Sequence, residues 1–269
     1  MSKYNVNLLK NDFSKHADSY NKYAKLQKIV ADELSIEAKE KILENYSKSQ
    51  SKILLDVGSG TGFVSQNLTA VSFSNENNIN IIQSDLSEKM CNISSEYSPS
   101  VNSDMHKLAF ADDSIDIFTS SLAVQWSNNH KAIFSEIDRI LKPKGIFIIS
   151  SFGNETLCEL KKTFEEVDGN TDRINSFYNY NQQYIERNIP NKYNANIEKK
   201  NYILEYNNVI ELMKEMKNIG ANNKTYSRNK AITKSDLKRI NEYYNENFSN
   251  NNGKVTATWE VVYLTSELE

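Results

Sequence analysis

The segment Ile53-Leu54-Leu55-Asp56-Val57-Gly58-Ser59-Gly60-Thr61-Gly62 joins a short apolar run to three glycines spaced two apart. An apolar run that stops at glycine reads as a strand ending in a tight turn, and the stretch from Gly62 to about Ala70 continues it as a helix. Glycines at such a turn let the backbone bend sharply and approach a ligand closely. A dinucleotide-binding turn would place its third glycine three positions after the second, where the bulky Phe63 stands, so the spacing argues against that class. A turn that is only structural is the plain alternative.

Outward from this turn, the chain alternates. Ile79-Asn80-Ile81-Ile82-Gln83 reads as a second strand ending at Asp85, with Ser87 able to cap the helix that follows. Ser114 to Ser120 reads as a strand, Ala132 to Leu141 as a helix and Gly145 to Ser151 as a strand, with Lys142-Pro143-Lys144-Gly145 punctuating the helix end. Strands and helices alternating at this spacing predict an α/β fold with a parallel, doubly wound sheet whose ligand lies at the carboxyl ends of the strands. Upstream, Tyr20, Tyr23, Leu26, Val30 and Leu34 recur at three- and four-residue steps within Phe13 to Lys41, predicting amphipathic helix.

Downstream, a helix over Glu155 to Val167 is followed by about 35 polar residues, Asp168 to Tyr202, too long for an ordinary connection. Its Phe177, Tyr178, Tyr180 and Tyr184 favour a lid over a solvated linker. Tyr202 to Tyr206, a helix over Val209 to Asn218, a helix opening at Thr233 with Asp236 three residues on, and a strand Val255 to Leu264 complete the chain. The expected organisation is one domain over 1–269, with an N-terminal helical cap in 1–50 and a lid insertion at 168–202.

A net charge of −3 over 269 residues supplies no global basic field of the kind sustained phosphate binding needs, so nucleic acid is not the expected partner. Cys91 and Cys158 lack the paired spacing of a zinc site or disulfide framework. Met1 to Lys10 has no signal-peptide core, and no apolar run approaches the roughly 20 residues of a membrane span. A cytoplasmic protein with no membrane partner and no metal is expected. His16, His106 and His130 are unpaired in sequence and read as ordinary structural or surface residues.

Asp56 just before the Gly-x-Gly-x-Gly turn resembles motif I of the class I methyltransferases, which implies an S-adenosylmethionine site. Ser120-Ser121-Leu122-Ala123-Val124-Gln125-Trp126 narrows the resemblance, together with Phe13-Ser14-Lys15-His16-Ala17, Tyr20, Gln27, Thr156-Leu157 before Glu159-Leu160, and Lys217-Asn218-Ile219-Gly220-Ala221. Together these resemble the malonyl-acyl-carrier-protein O-methyltransferases of biotin synthesis, the BioC family, from Phe13 to Tyr263. The resemblance implies a Rossmann-like seven-stranded class I methyltransferase sheet, mostly parallel with an antiparallel last strand. It also implies Asp56, Gly58, Gly60 and Gly62 under the methionine moiety, Asp85 with Leu86 at the ribose, and Asp104 with Met105 at the adenine. Gln27, Ser121 and Leu122 complete the implied cofactor set. Asp85 has a plainer alternative, a helix-start carboxylate assisting Ser87.

On the substrate side the resemblance implies Gln125, Arg173, Asn175 and Lys217, with Tyr20 and Trp126 closing the pocket; the alternative for those two is core packing. The expected partner is malonyl-acyl-carrier protein or malonyl-CoA. Three positions depart from the family: Lys144 where a second glycine is usual, Ser176 where a basic residue follows Asn175, and Trp259 for a usual tyrosine. If the missing cation pairs with the malonyl carboxylate, Arg173 or a nearby lysine must stand in. Lys214, Lys217, Lys224, Arg228, Lys230, Lys234, Lys238 and Arg239 form a local basic excess suited to an acidic carrier, or simply solvated helix faces. Three other classes stay open: the related complex I assembly factors, associated with protein-arginine hydroxylation, a small-molecule methyltransferase sharing only the cofactor half, and a binding module that keeps the nucleoside site without turnover. Gln125, where the assembly factors tend to have His, favours biotin synthesis.

Overall fold

The computed structural model describes residues 4–70, 73–169, 173–221 and 232–267. Its centre is a seven-stranded sheet among those residues, in the order β3-β2-β1-β4-β5-β7-β6. β1 (Lys52–Val57), β2 (Ile79–Asp85), β3 (Ser100–Asn102), β4 (Ile115–Ser121) and β5 (Leu141–Phe152) pair in parallel, whereas β7 (Val255–Glu267) runs antiparallel to both β5 and β6 (Asn194–Tyr206). The strand order reverses between β1 and β4, which opens a crevice beyond their carboxyl ends.

Alternation along the central strands explains why both faces are covered. In β5, Ile146, Ile148 and Phe152 join one apolar cluster while Phe147 and Ile149 join the other; in β7, Val255, Ala257, Trp259, Val261 and Tyr263 face the first and Val262 and Leu264 the second. The first cluster is covered by α3 (Lys25–Asn45), α4 (Phe63–Thr69), α8 (Cys158–Asp168), α10 (Val209–Asn218) and α11 (Lys234–Phe248). The second is covered by α7 (His130–Ile140) and α9 (Gln182–Asn188). Two short helices, α5 (Phe73–Glu76) and α6 (Glu88–Ser94), flank β2. The caps read from sequence are present: the Ser87 hydroxyl accepts from Met90 N, and Thr233 with Asp236 forms a capping box.

Two segments differ from their sequence-based expectations. The N-terminal helix is broken into α1 (Val6–His16), a 3-10 turn at Ala17–Ser19 and α2 (Tyr20–Tyr23), and Ala24 (ψ 49°) separates these from α3. The break turns Tyr20 onto Phe63, with ring centroids 6.4 Å apart, and lets the Thr61 hydroxyl donate to Asn21 Oδ1 at 2.5 Å. Tertiary contacts override a periodicity that would allow one straight helix.

The stretch 168–202 contains α9, and β6 begins within it at Asn194. β6 is an edge strand whose apolar alternation, begun by Ala195 and Ile197, is interrupted by the exposed run Glu198 to Asn201, so the pattern in its first half is weak in sequence. The aromatics of the insert pack inward: Tyr180 and Tyr184 are buried in the second cluster, and the Tyr180 and Ser151 hydroxyls lie 2.6 Å apart. No helix among the described residues is long and apolar enough to cross a membrane.

Candidate active site

β1 delivers Asp56 and the glycine turn to the crevice between β1 and β4. Gly58 N and Ser59 N both donate to Ser84 O, at 2.7 and 3.1 Å, which folds the turn back over the end of β2. Gly58 has φ +69°, and a Cβ there would lie 2.2 Å from the Cβ of Ala123, so the turn and the loop after β4 meet closely only because this residue has no side chain. Around them opens a cleft, continuous with solvent, lined on the sheet side by Asp56 to Thr61, Asp85, Leu86, Ser103 to His106 and Ser121 to Ala123. Val6, Leu9 and Phe13 of α1, Tyr20, Gln27 and Trp126 line its other side.

Three carboxylates face this cleft, and no Lys or Arg is among its described lining residues. Asp56 is buried; its Oδ1 accepts from the Thr119 hydroxyl at 3.1 Å, while Oδ2 has no partner among the described residues. Burial pushes the Asp56 carboxyl up to about 7, and the nearby Asp85 carboxylate adds to the shift against the lowering effect of Thr119. Asp85 is raised as well, again chiefly by burial, although Gly60 N and Ser87 N donate to it at 2.9 and 2.8 Å. The helix-start role of Asp85 is therefore real, and it coexists with a place in the cleft wall. Ser59 Oγ is a second buried atom without a partner among the described residues.

Unsatisfied acceptors and raised carboxylates together create demand for a cationic ligand with hydrogen-bond donors. S-adenosylmethionine, carrying a sulfonium and an ammonium group, fits that donor set. Burial and, secondarily, the Asp85 carboxylate raise the Tyr20 phenol, so it keeps its proton at neutral pH. Trp126 sits at the end of a 3-10 turn (Val124–Trp126), wedged edge-on among Tyr4, Phe13 and Phe177 at centroid distances of 5.6, 5.9 and 6.3 Å.

A family model described as a methyltransferase domain matches residues 55–149, the span from β1 through β5 that builds this cleft wall. The malonyl-[acyl-carrier protein] O-methyltransferase of Methylococcus capsulatus is 30% identical over 216 residues, covering 78% of this chain and 76% of its own length. The chain belongs to the malonyl-[acyl-carrier protein] O-methyltransferase family. This O-methyltransferase family member is S-adenosylmethionine-dependent. The biotin biosynthesis bifunctional protein BioHC of Teredinibacter turnerae is 31% identical over 268 residues, but the chain spans 94% of itself and only 45% of that relative. The YcgJ protein of Bacillus subtilis shares the fold, with a TM-score of 0.56 at 16% identity over 85% of this chain and 97% of that one.

Most of the cofactor-side residues read from the sequence of this O-methyltransferase come together in the cleft: Asp56, Gly58, Gly60, Asp85, Leu86, Asp104, Met105, Ser121, Leu122 and Gln27, with Tyr20 and Trp126 opposite. Gly62 does not line it. It is the N-cap of α4 behind the turn, where a Cβ would meet Gln83 and Tyr97 at 2.9 Å.

The substrate-side expectations fare differently. Gln125 is buried with its Nε2 donating to Leu122 O at 2.6 Å, so it braces the loop behind the wall. Arg173 is paired with Asp168 and lies over the Phe164 ring, so the cation sought in place of Ser176 is already engaged. Asn175 is buried and donates to Ala221 O at 3.4 Å, and Lys217 is an exposed residue near the end of α10; neither lines the cleft. Among the basic residues, Lys224, Arg228 and Lys230 lie outside the described residues.

Sequence reasoning missed Ser59, Ser103, Ala123 and His106 in the cleft wall. Ser59 and Ala123 lie inside motifs already singled out and were legible there. His106 was set aside as unpaired although Asp104 stands two residues before it; only its second partner, Ser127, depends on the fold.

Proposed function

We propose that this methyltransferase esterifies the free carboxylate of a malonyl thioester carried on acyl-carrier protein or coenzyme A, giving the monomethyl ester, as an early step toward the pimeloyl moiety of biotin. The observation that carries the reading is the 30% identity, over three-quarters of both chains, to a relative named for that activity. The cleft chemistry agrees with it. A carboxylate with an ordinary pKa of about 4 is already ionised at neutral pH and needs no general base. The Tyr20 phenol across the cleft stays protonated and so is not one.

Bound S-adenosylmethionine supplies an electrophilic methyl group on a sulfonium. Asp56 and Ser59 would accept from its amino group, Asp85 from the ribose hydroxyls through lone pairs beyond those taken by Gly60 and Ser87, and Asp104 from the adenine amino group. Tyr20 donates to the substrate carboxylate and, with Phe13 and Trp126, excludes water that would compete for its lone pairs. The gain would come from these residues orienting the carboxylate toward the bound donor and keeping water away. The chain acts as one catalytic unit in the cytoplasm, with the segment preceding β6 closing the substrate side. The exposed Lys214, Lys217, Lys234 and Lys238 face the carrier.

Transfer of labelled methyl from S-adenosylmethionine to malonyl-, succinyl- and acetyl-loaded carrier protein tests this reading. Esterification confined to malonyl supports it. Tight cofactor binding without transfer to any of the three or to malonyl-CoA overturns it and turns attention to protein-arginine substrates.

A further inference from the structure

His106 lies in the cleft wall two residues after Asp104, and both of its ring nitrogens are engaged. Nδ1 is 2.7 Å from Asp104 Oδ1, which also accepts from His106 N at 2.9 Å; Nε2 is 2.7 Å from Ser127 Oγ. Ser127 is buried and its Oγ accepts from Asn129 N at 2.9 Å. The direction of the chain of bonds follows. With a carboxylate on one side, Nδ1 carries the proton; in the neutral ring Nε2 then accepts from the Ser127 hydroxyl. Asn129 N, Ser127, His106 and Asp104 form one polarised relay from the loop bearing Trp126 to the adenine end of the cleft.

We propose that His106 is a positioning residue that sets nucleobase specificity, holding Asp104 with one carboxylate oxygen saturated and the other, Oδ2, presented to the ligand. The inference rests on the reading of Asp104 as the acceptor for the adenine amino group. Two bonds to Oδ1 leave Oδ2 without a protein partner among the described residues. An ionised, fixed Oδ2 accepts from an exocyclic amino group and repels an exocyclic carbonyl in the same place, because two acceptors then face each other without a proton between them. His106 also keeps the carboxyl in its ionised form: the imidazole bond holds Asp104 below the usual aspartate range, outweighing the opposing effect of burial. Without the imidazole, Asp104, which is nearly half exposed, is free to rotate or to take up a proton and donate to a carbonyl. Ser127 restrains the ring from behind, so its loss should reproduce part of the effect.

The test compares the affinity of the full-length protein for S-adenosylhomocysteine and for its deaminated analogue S-inosylhomocysteine, which carries a carbonyl in place of the amino group. Titration calorimetry on the unaltered chain and on H106A, H106N, S127A, D104A and the H106A/D104A pair yields the ratio of the two affinities. H106A is expected to lower the preference for the adenosyl ligand about tenfold, the scale of one charge-assisted hydrogen bond. S127A should lower it less. H106N, whose amide replaces the Nδ1 donor, should restore most of it, and H106A should add nothing in the D104A background. A ratio left within twofold of the starting value in H106A, with both ligands weakened alike, makes His106 merely structural and overturns the proposal. A ratio unmoved by D104A overturns instead the placement of Asp104 at the adenine.

Discussion

Asp56 shows how one residue joins the strand, the turn and the chemistry. Its carboxyl is pushed up to about 7 because it is buried, with Asp85 beside it and one oxygen unpartnered among the described residues. A cationic ligand favours the ionised form, so binding must expel the proton that Asp56 holds below that value. Cofactor affinity should therefore rise with pH from 6 to 8, approaching tenfold per unit on the acid side of about 7. The ligand-free chain should show the opposite sign. A folded-state pKa above the unfolded one contributes stability at low pH that is lost as pH rises through about 7. Asp56→Asn should thus weaken S-adenosylmethionine binding at pH 8, flatten its pH dependence and leave the free protein more heat-stable at pH 8. Calorimetry and thermal melts across that range check it, and an unchanged pH profile in the variant would contradict the assignment. Lys144 illustrates a residue-level departure with a visible cost: it adopts φ +70°, a conformation that glycine takes without strain.

At the scale of elements, α1 is the part of the molecule with the clearest gating geometry. Val6, Leu9 and Phe13 form one wall of the cleft, and the arm before them is pinned by Asn128: Tyr4 N donates to Asn128 Oδ1 at 2.7 Å, and Asn128 Nδ2 returns a bond to Tyr4 O at 2.8 Å. The Tyr4 hydroxyl donates to Ser176 O at 3.0 Å, so the arm also reaches the segment before β6. Asn128→Ala removes both anchoring bonds while leaving β1 to β5 untouched. Hydrogen exchange should speed at least tenfold over residues 4–16 and stay unchanged in β4 and β5, with KM for S-adenosylmethionine altered more than kcat. Uniform exchange across the chain in that variant would mean that α1 is not a separate unit.

For the whole molecule, the sign of the cleft matters more than the net charge. A malonyl carboxylate entering a space walled by Asp56, Asp85 and Asp104, with no described Lys or Arg in its lining, meets repulsion. One unit charge at 4 Å costs about 4 kcal/mol at an effective dielectric constant of about 20. A bound cation near the sulfonium position offsets part of that field, so the methyl donor should bind first. The amine-bearing analogue sinefungin keeps a cation near the sulfonium position, whereas S-adenosylhomocysteine has lost it. Malonyl-CoA should bind at least tenfold more tightly to the sinefungin complex than to the S-adenosylhomocysteine complex. Equal affinities would remove the electrostatic account of binding order.

The chain's local patterns determined the parallel core, the glycine turn and the caps at Ser87 and Thr233, while the motif resemblance singled out Asp56, Asp85 and Asp104, which the fold gathers in one cleft. Each of those patterns depends on residues near one another in sequence, where period, punctuation and spacing act directly. Only the tertiary structure decided the rest. The break at Ala24 follows from Tyr20 meeting Phe63, the early start of β6 from its pairing with β7, and the inward turn of Tyr180 and Tyr184 from space left on the second face of the sheet. The engagement of Arg173 by Asp168 and the relay through His106 to Ser127 likewise arise from groups that the fold brings into contact. Hydrogen bonds and ion pairs act within about 3 Å, and that proximity is a property of the packed chain that no linear pattern encodes.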